Sequence, residues 1–234
     1  MTRIFLYDPY WRAKLWHRIA IAFPRRFRGR IFVAIEGGDD AEALRLATQS
    51  VLRRSVGEFG SSPLVAAISA RRSELALAFI SRGGIYAGDG ALAYAANWGD
   101  LTVVEALLLA GKNPNEPMKS DIHAGRTPLM LAAGPQRVAI VKRLLLAGAN
   151  VDAVADDGTT AIMVTDDSSP ESLEVLEVLE VLEILCSYRP DIHKRDWRGR
   201  SVVHEARDRA RNSGKPQMRQ ILERHFPGTD FEAE

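Results

Sequence analysis

Apolar residues recur at helical spacing in one block of the chain, residues 125–157. Leu129, Ala132 and Ala133 lie three and four residues apart, which predicts a helix with one apolar face. A second stretch with the same spacing runs from Val138 to Leu146. The block is therefore predicted to hold two short amphipathic helices.

Residues that start and stop helices frame this pair. The hydroxyl of Thr127 can cap the first helix, and Pro128 suits the first helical position because its missing N–H needs no partner there. Gly148 falls where the second helix must end in a left-handed conformation. The block thus has the signals of a complete helix-turn-helix unit.

The unit recurs along the chain with variable spacing. Gly158 follows Gly125 by 33 residues, Gly199 follows Gly158 by 41 residues, and the Ser62-Pro63 pair is an earlier version of the Thr-Pro start. Such a period indicates a repeat protein. We predict a degenerate unit at 31–57, repeats at 61–88, 89–124, 125–157 and 158–198, and a C-terminal capping unit at 199–225.

The block resembles the ankyrin repeat, whose pattern is Gly-x-Thr-Pro-Leu-His-x-Ala-Ala, a second helix ending Leu-Leu-x-x-Gly-Ala, and a hairpin finger. The resemblance extends over about residues 31–225. It implies an all-α solenoid of stacked helix-turn-helix units with short hairpin fingers. It also implies a concave face, built from fingers and first helices, that binds a protein. His204 matches the family's histidine, which implies a structural role bonded to neighbouring backbone.

Two departures from the pattern distinguish this chain. The finger at 113–124 is longer than its neighbours, and insertions of this kind often lie on the binding face of repeat proteins. The triplet run at 173–185 predicts one long helix over about 170–188. Two thirds of that helix is apolar, so either neighbouring segments cover it or it forms an exposed ridge for a partner. We favour coverage by neighbours.

Residues 1–30 match no repeat. They hold eight Lys/Arg, one acid and seven aromatic residues, and Asp8-Pro9 predicts the start of a helix that Pro24 stops. We expect this basic aromatic segment to cap the first repeat, with an anionic membrane surface or a nucleic acid as alternatives. Vesicle sedimentation with and without residues 1–30 tests the membrane alternative, since unchanged binding after deletion excludes it.

Composition and charge bear on location and partner. Cys186 is the single cysteine, and the N-terminus has no signal-peptide pattern, so we expect a cytoplasmic protein without disulfides. Outside residues 1–30 the chain has 23 basic and 29 acidic residues, a net charge of −6. An acidic body favours a partner with a basic patch.

Motifs for catalysis, phosphate binding or metal binding are missing from the sequence. His123 and His193 fall in predicted fingers, but two histidines are weak evidence for a metal. Cys186 aligns with Leu145 and is expected to be a small buried residue. We therefore expect no catalytic residue, metal or cofactor.

The positions that the repeat pattern leaves free are the expected contacts with a protein partner. Aromatic residues at such positions are the usual anchors of an interface. The predicted contacts are Tyr94 and Trp98 on a first helix, Tyr86, Met118, His123, Asp156 and Trp197 in fingers, and Asp166 and Asp167 at the end of a first helix. We expect a non-catalytic binder of one specific protein, such as an inhibitor or immunity protein. The alternative is a peripheral membrane adaptor that uses residues 1–30.

Overall fold

The computed structural model describes residues 29–54, 61–118, 125–135, 137–165, 172–212 and 216–232. Every regular element in those ranges is an α-helix, which confirms the predicted all-α class. The chain divides into two compact units, Met1–Asp89 with Lys119–Ala124 and Gly90–Met118 with Gly125–Glu234. The predicted N-terminal helix lies outside the described residues.

The first unit holds five helices in its described ranges. They are α1 (Arg30–Gly37), α2 (Asp40–Leu46), α3 (Gln49–Arg54), α4 (Pro63–Ser69) and α5 (Ser73–Ser81). Helices α1 and α2 form one pair and α4 and α5 the next, with α1 against α4 and α2 against α5. Ile35, Leu64 and Phe79 are almost fully buried between them.

The second helix of the degenerate unit is interrupted, which the sequence pattern does not predict. Ala47 and Thr48 are not helical, and the hydroxyl of Thr48 accepts a hydrogen bond from the N–H of Val51 at 3.3 Å at the start of α3. Leu52 on α3 is buried, and Arg53 donates to the carbonyl of Gly83 at 3.2 Å. The interruption therefore gives α3 its own packing site against the loop after α5.

The second unit contains the more regular repeats. Its helices are α6 (Ala91–Trp98), α7 (Leu101–Leu109), α8 (Pro128–Ala133), α9 (Val138–Leu146), α10 (Ser172–Ser187), α11 (Val202–Asn212) and α12 (Gln217–His225). First helices α6 and α8 pack together, and second helices follow in the order α7, α9, α10 and α12. As predicted, Thr127 caps α8 by accepting from Met130 N at 3.4 Å, and Gly148 has a positive φ of 86°.

One first helix is not formed. In the repeat that begins at Gly158, residues 161–164 are turns, and Thr160 does not make the cap that the pattern predicts. Its buried Oγ1 has no hydrogen-bond partner among the described residues. Ala161 stands where the complete repeat has Pro128, so the pre-set helical φ is missing. Ile162 still fills the core position of Leu129.

The triplet run forms the predicted long helix. Helix α10 has 16 residues, against 9 in both α7 and α9. Val178, Val181, Leu182, Leu185 and Cys186 on its C-terminal part are buried. Because α9 and α12 flank this part, neighbours cover it, whereas Leu176 nearer its start is 64% exposed.

Charged side chains pair α10 with the helices on both of its sides. Lys142 on α9 donates to Glu180 at 2.8 Å. On the other side, Glu183 pairs with Arg224 and with His225, whose Nε2 lies 2.6 Å from the carboxylate. The glutamates of the repeated triplet thus serve different neighbours.

A short tail follows α12 and adds to the predicted capping unit. Phe231 is buried, and the Arg219 guanidinium lies 5.2 Å from the centre of its ring. Glu232 accepts from Arg219 at 3.0 Å. A buried aromatic ring that follows α12 thus lies beside Arg219 of that helix. No helix in the described ranges has the length and apolar character needed to cross a bilayer.

Candidate functional site

The predicted contact residues separate into three groups. Tyr86 belongs to the first unit, where it is 48% exposed in the loop after α5. The second unit holds Tyr94, Trp98, Met118, Asp156 and Trp197. His123, Asp166 and Asp167 lie outside the described residues. The second unit therefore offers the candidate surface that can be built from the residues upward.

The fingers of the second unit are joined at their bases by a repeated set of hydrogen bonds. The side chains of Asn113, Asn150 and Asp191 each accept from the N–H two residues further on, at 2.9–3.0 Å. The side-chain oxygens of Asn115 and Asp152 then accept from the N–H of the next finger's Asn150 and Asp191, at 2.7 and 2.8 Å. Three successive fingers are thus held side by side.

The long finger is anchored by a buried ion pair. The Lys112 side chain is 3% exposed and pairs with Glu116 at 3.1 Å, and Glu116 also accepts from the N–H of Gly90 at 2.7 Å. Gly90 precedes α6, so the finger is fixed to the start of a first helix. In the complete repeat at 125–157, the small residue Ala149 stands where the repeat at 89–124 has Lys112. The repeat pattern therefore does not predict the Lys112–Glu116 ion pair.

Met118 is a support of the long finger rather than an exposed contact. It is 5% exposed and packs with Ala93 and Leu131. This burial corrects the prediction that Met118 is an exposed contact residue. Its N–H donates to the carbonyl of Arg126 at 2.9 Å, which closes the base of the finger. Tyr94 packs against the same cluster while remaining partly exposed.

Trp98 lies at the C-terminal end of α6 and is 38% exposed. The adjacent Gly99 has a φ of +78°, and a Cβ placed on it would come within 2.0 Å of the Arg137 guanidinium. Arg137 donates to the carbonyl of Asn97 at 3.4 Å, at the negative end of this helix. Trp98 is thus presented by a backbone segment that an arginine from the next repeat holds in place.

The finger around Asp156 and Asp157 presents negative charge. Asp156 is exposed, and its carboxylate has no hydrogen-bond partner among the described residues. Burial alone would raise the pKa of Asp157. Hydrogen bonds from Thr159 and the nearby Arg126 guanidinium lower it by more, so the pKa lies below its ordinary value. Asp157 therefore stays charged at neutral pH and is engaged within the finger, whereas the Asp156 side chain faces solvent.

The next finger presents aromatic and positive groups. Trp197 is 72% exposed, so it does not pack between fingers, and Arg198 lies with its Cζ 4.8 Å from the centre of its ring. The N–H of Trp197 donates to the carbonyl of Asp157 at 2.9 Å, which joins the two fingertips. Arg198 was not predicted as a contact; the run Arg195–Arg200 around the tryptophan is the signal that identifies it.

The histidines and acids of the described residues do not assemble into a metal site. His204 has the structural role that the resemblance implies, since its Nδ1 accepts from the N–H of Ser201 at 3.2 Å. His193 is exposed in its finger, whereas His123 lies outside the described residues. What the described surface offers is recognition by charge and by aromatic contact.

Cys186 is buried as predicted, and burial, with a smaller contribution from Glu183, raises its pKa to about 12. At pH 8 only about one thiol in 10,000 is then ionised, so we expect Ellman's reagent to label the native protein negligibly and the urea-unfolded protein rapidly. Cys186→Ser supplies the blank. Rapid labelling of protein with native circular dichroism would contradict this buried position.

Comparison with known proteins gives a family match over part of the chain and a shared fold. Residues 92–196 match a family model described as ankyrin repeats in three copies. The crystal structure of an ankyrin repeat domain from Acinetobacter baumannii AYE is 22% identical, with a TM-score of 0.68 over 83% of this chain and 96% of that domain. A second crystal structure, of another ankyrin repeat protein, is 22% identical, with a TM-score of 0.65 and the same coverages of 83% and 96%. No curated protein matches the sequence.

Proposed function

We propose that this chain binds one specific protein, because it carries ankyrin repeats, which are generally protein–protein interaction modules. The ankyrin repeat family is also typically non-catalytic. The observation that carries the proposal is the row of pinned fingers in the second unit. Hydrogen bonds fix their bases, while Asp156 and Trp197 at their tips are left exposed. Preformed, outward-facing charged and aromatic groups are what a specific interface requires.

The partner is proposed to carry a basic group opposite Asp156. The acidic balance of the chain outside residues 1–30 speeds the approach of such a partner, and the exposed carboxylate gives it a local contact. Inhibition of a toxin or an enzyme is one form that this binding can take, by analogy with immunity proteins. The adaptor hypothesis rests on residues 1–30, nearly all outside the described residues, and stays a prediction.

Affinity capture from native lysate tests the proposal. We expect the full chain to retain one major protein, and we expect Trp98→Ala or Asp156→Lys to reduce its recovery by at least about tenfold, since each removes a contact on the proposed surface. Titration calorimetry with the purified partner then measures the loss directly.

Leu146→Ala is the matched control. Leu146 is 73% exposed on a second helix and is not one of the finger residues, so its replacement is expected to leave capture unchanged. Circular dichroism verifies that all three variants fold. Capture that survives both Trp98→Ala and Asp156→Lys, or that is lost only in Leu146→Ala, refutes the proposed surface.

A further inference from the structure

The fingertip of residues 195–200, here called the Trp197 fingertip, exposes a large apolar group. At 72%, Trp197 is the most exposed aromatic side chain of the described residues. In that part of the chain, its indole N–H has no hydrogen-bond partner, and the Arg198 guanidinium lies over the indole ring, 4.8 Å from its centre. Two of the residue types most enriched at interface hot spots thus stand together in solvent.

Hydrogen bonds to backbone groups, and not the tryptophan side chain, hold this fingertip in shape. The Asp196 carboxylate accepts from the N–H groups of Arg198 and Arg200, both at 2.9 Å, and Asp196 N donates to the carbonyl of Arg200 at 2.9 Å. The neighbouring finger abuts it closely, since a Cβ on Gly158 would lie 2.9 Å from the carbonyl of Arg195. Trp197 is therefore presented by a rigid loop, which lowers the entropy cost of using it in binding.

The outward charge of the Trp197 fingertip is positive. Asp196 and Asp191 use their carboxylates on backbone N–H groups within the finger. Arg195 donates to the carbonyl of Gly199 at 2.8 Å and is exposed, as is Arg198. A guanidinium stacked on a ring keeps its N–H edge free, and that edge matches a carboxylate in two parallel hydrogen bonds.

We propose that the Trp197 fingertip anchors an acidic and apolar segment of the protein partner. The indole packs against an apolar side chain of that segment, and Arg198 binds an adjacent carboxylate. This inference rests on the proposed function and names the partner's chemistry at one fingertip. The partner is acidic opposite Arg198, whereas Asp156 favours a basic group. A nucleic acid fits less well, because Asp156 and Asp157 on the adjoining fingertip repel phosphate.

A random library of 12-residue peptides displayed on phage and panned on the full chain tests the inference. We expect the enriched peptides to place Asp or Glu beside a large apolar residue. Fluorescein-labelled copies, measured by fluorescence polarisation, should bind Trp197→Ala and Arg198→Glu at least about tenfold more weakly than the wild-type chain. Replacing the peptide's acid with lysine should restore part of its affinity for Arg198→Glu.

Three results overturn the inference. The first is enrichment of peptides without acids, or no enrichment. The second is unchanged affinity for Trp197→Ala and Arg198→Glu; if Trp98→Ala then abolishes binding, the proposed function stands and only this fingertip is wrong. The third is that a 20-nucleotide single-stranded DNA binds and requires Trp197 and Arg198 for binding, while acidic peptides do not bind. Leu146→Ala serves as the folded control that should bind the peptides normally.

Discussion

Replacing Leu182 with alanine is expected to lower the free energy of unfolding by about 3 kcal/mol. Leu182 is fully buried on α10, between α9 and α12, so the shorter side chain loses apolar burial and leaves a cavity. Urea unfolding followed by circular dichroism measures the change. The effect is large because second helices are packed in series, and a defect in α10 weakens its contacts with both neighbours.

Leu176→Ala is an unusually close control for this prediction. Leu176 and Leu182 both occupy the centre of a Val-Leu-Glu triplet in the same helix, but Leu176 is 64% exposed. Its replacement should change the stability by less than about 0.5 kcal/mol. Equal losses for the two variants would mean that the buried face of α10 has been assigned wrongly.

Lys112→Ala is expected to cost about 3 kcal/mol of stability, because it leaves the Glu116 carboxylate largely buried without its partner. Lys112 and Glu116 lie 3.1 Å apart with side chains 3% and 15% exposed, and Glu116 also receives the N–H of Gly90. Thermal and urea unfolding of the single variants and of the double variant Lys112→Met/Glu116→Leu form the experiment. The double variant should recover most of the loss, since it removes both charges together.

Lys142→Ala tests whether burial is the cause. The Lys142–Glu180 pair has a similar separation, 2.8 Å, but its side chains are 52% and 50% exposed. An exposed pair of this kind contributes less than about 1 kcal/mol. If Lys112→Ala and Lys142→Ala lose similar, small amounts of stability, the anchoring role assigned to the buried pair is disproved.

Local signals in the sequence were sufficient for the helices that have them. Thr127, Pro128 and Gly148 each act on their own neighbours, so their cap, first-turn and stop positions could be predicted without the fold. Where those signals are weaker, the predicted helix is not formed. Thr160 retains the capping residue type but is followed by Ala161, and the expected helix is replaced by turns.

Positions that depend on neighbours could not be predicted in this way. In a triplet run two thirds apolar, the buried face is set by α9 and α12 and not by the run itself. The pattern predicts an exposed Met118 in a finger, but its burial depends on Ala93 and Leu131, which lie in other parts of the chain. The pattern predicts Trp197 as a contact from its residue type, whereas the contact of Arg198 with its ring depends on the folded fingertip.

The pairing of α10 with its neighbours also bears on how this chain can change length over generations. Each added triplet of residues lengthens a helix by about 4.5 Å and turns it by about 300°. The buried residues Leu182 and Leu185 hold the C-terminal part of the helix, where Glu180 also pairs with Lys142 and Glu183 with Arg224 and His225. We therefore expect an added triplet to be accommodated near the exposed Leu176 rather than near the buried Leu182. A change of length there should leave the packed core of α10 in place.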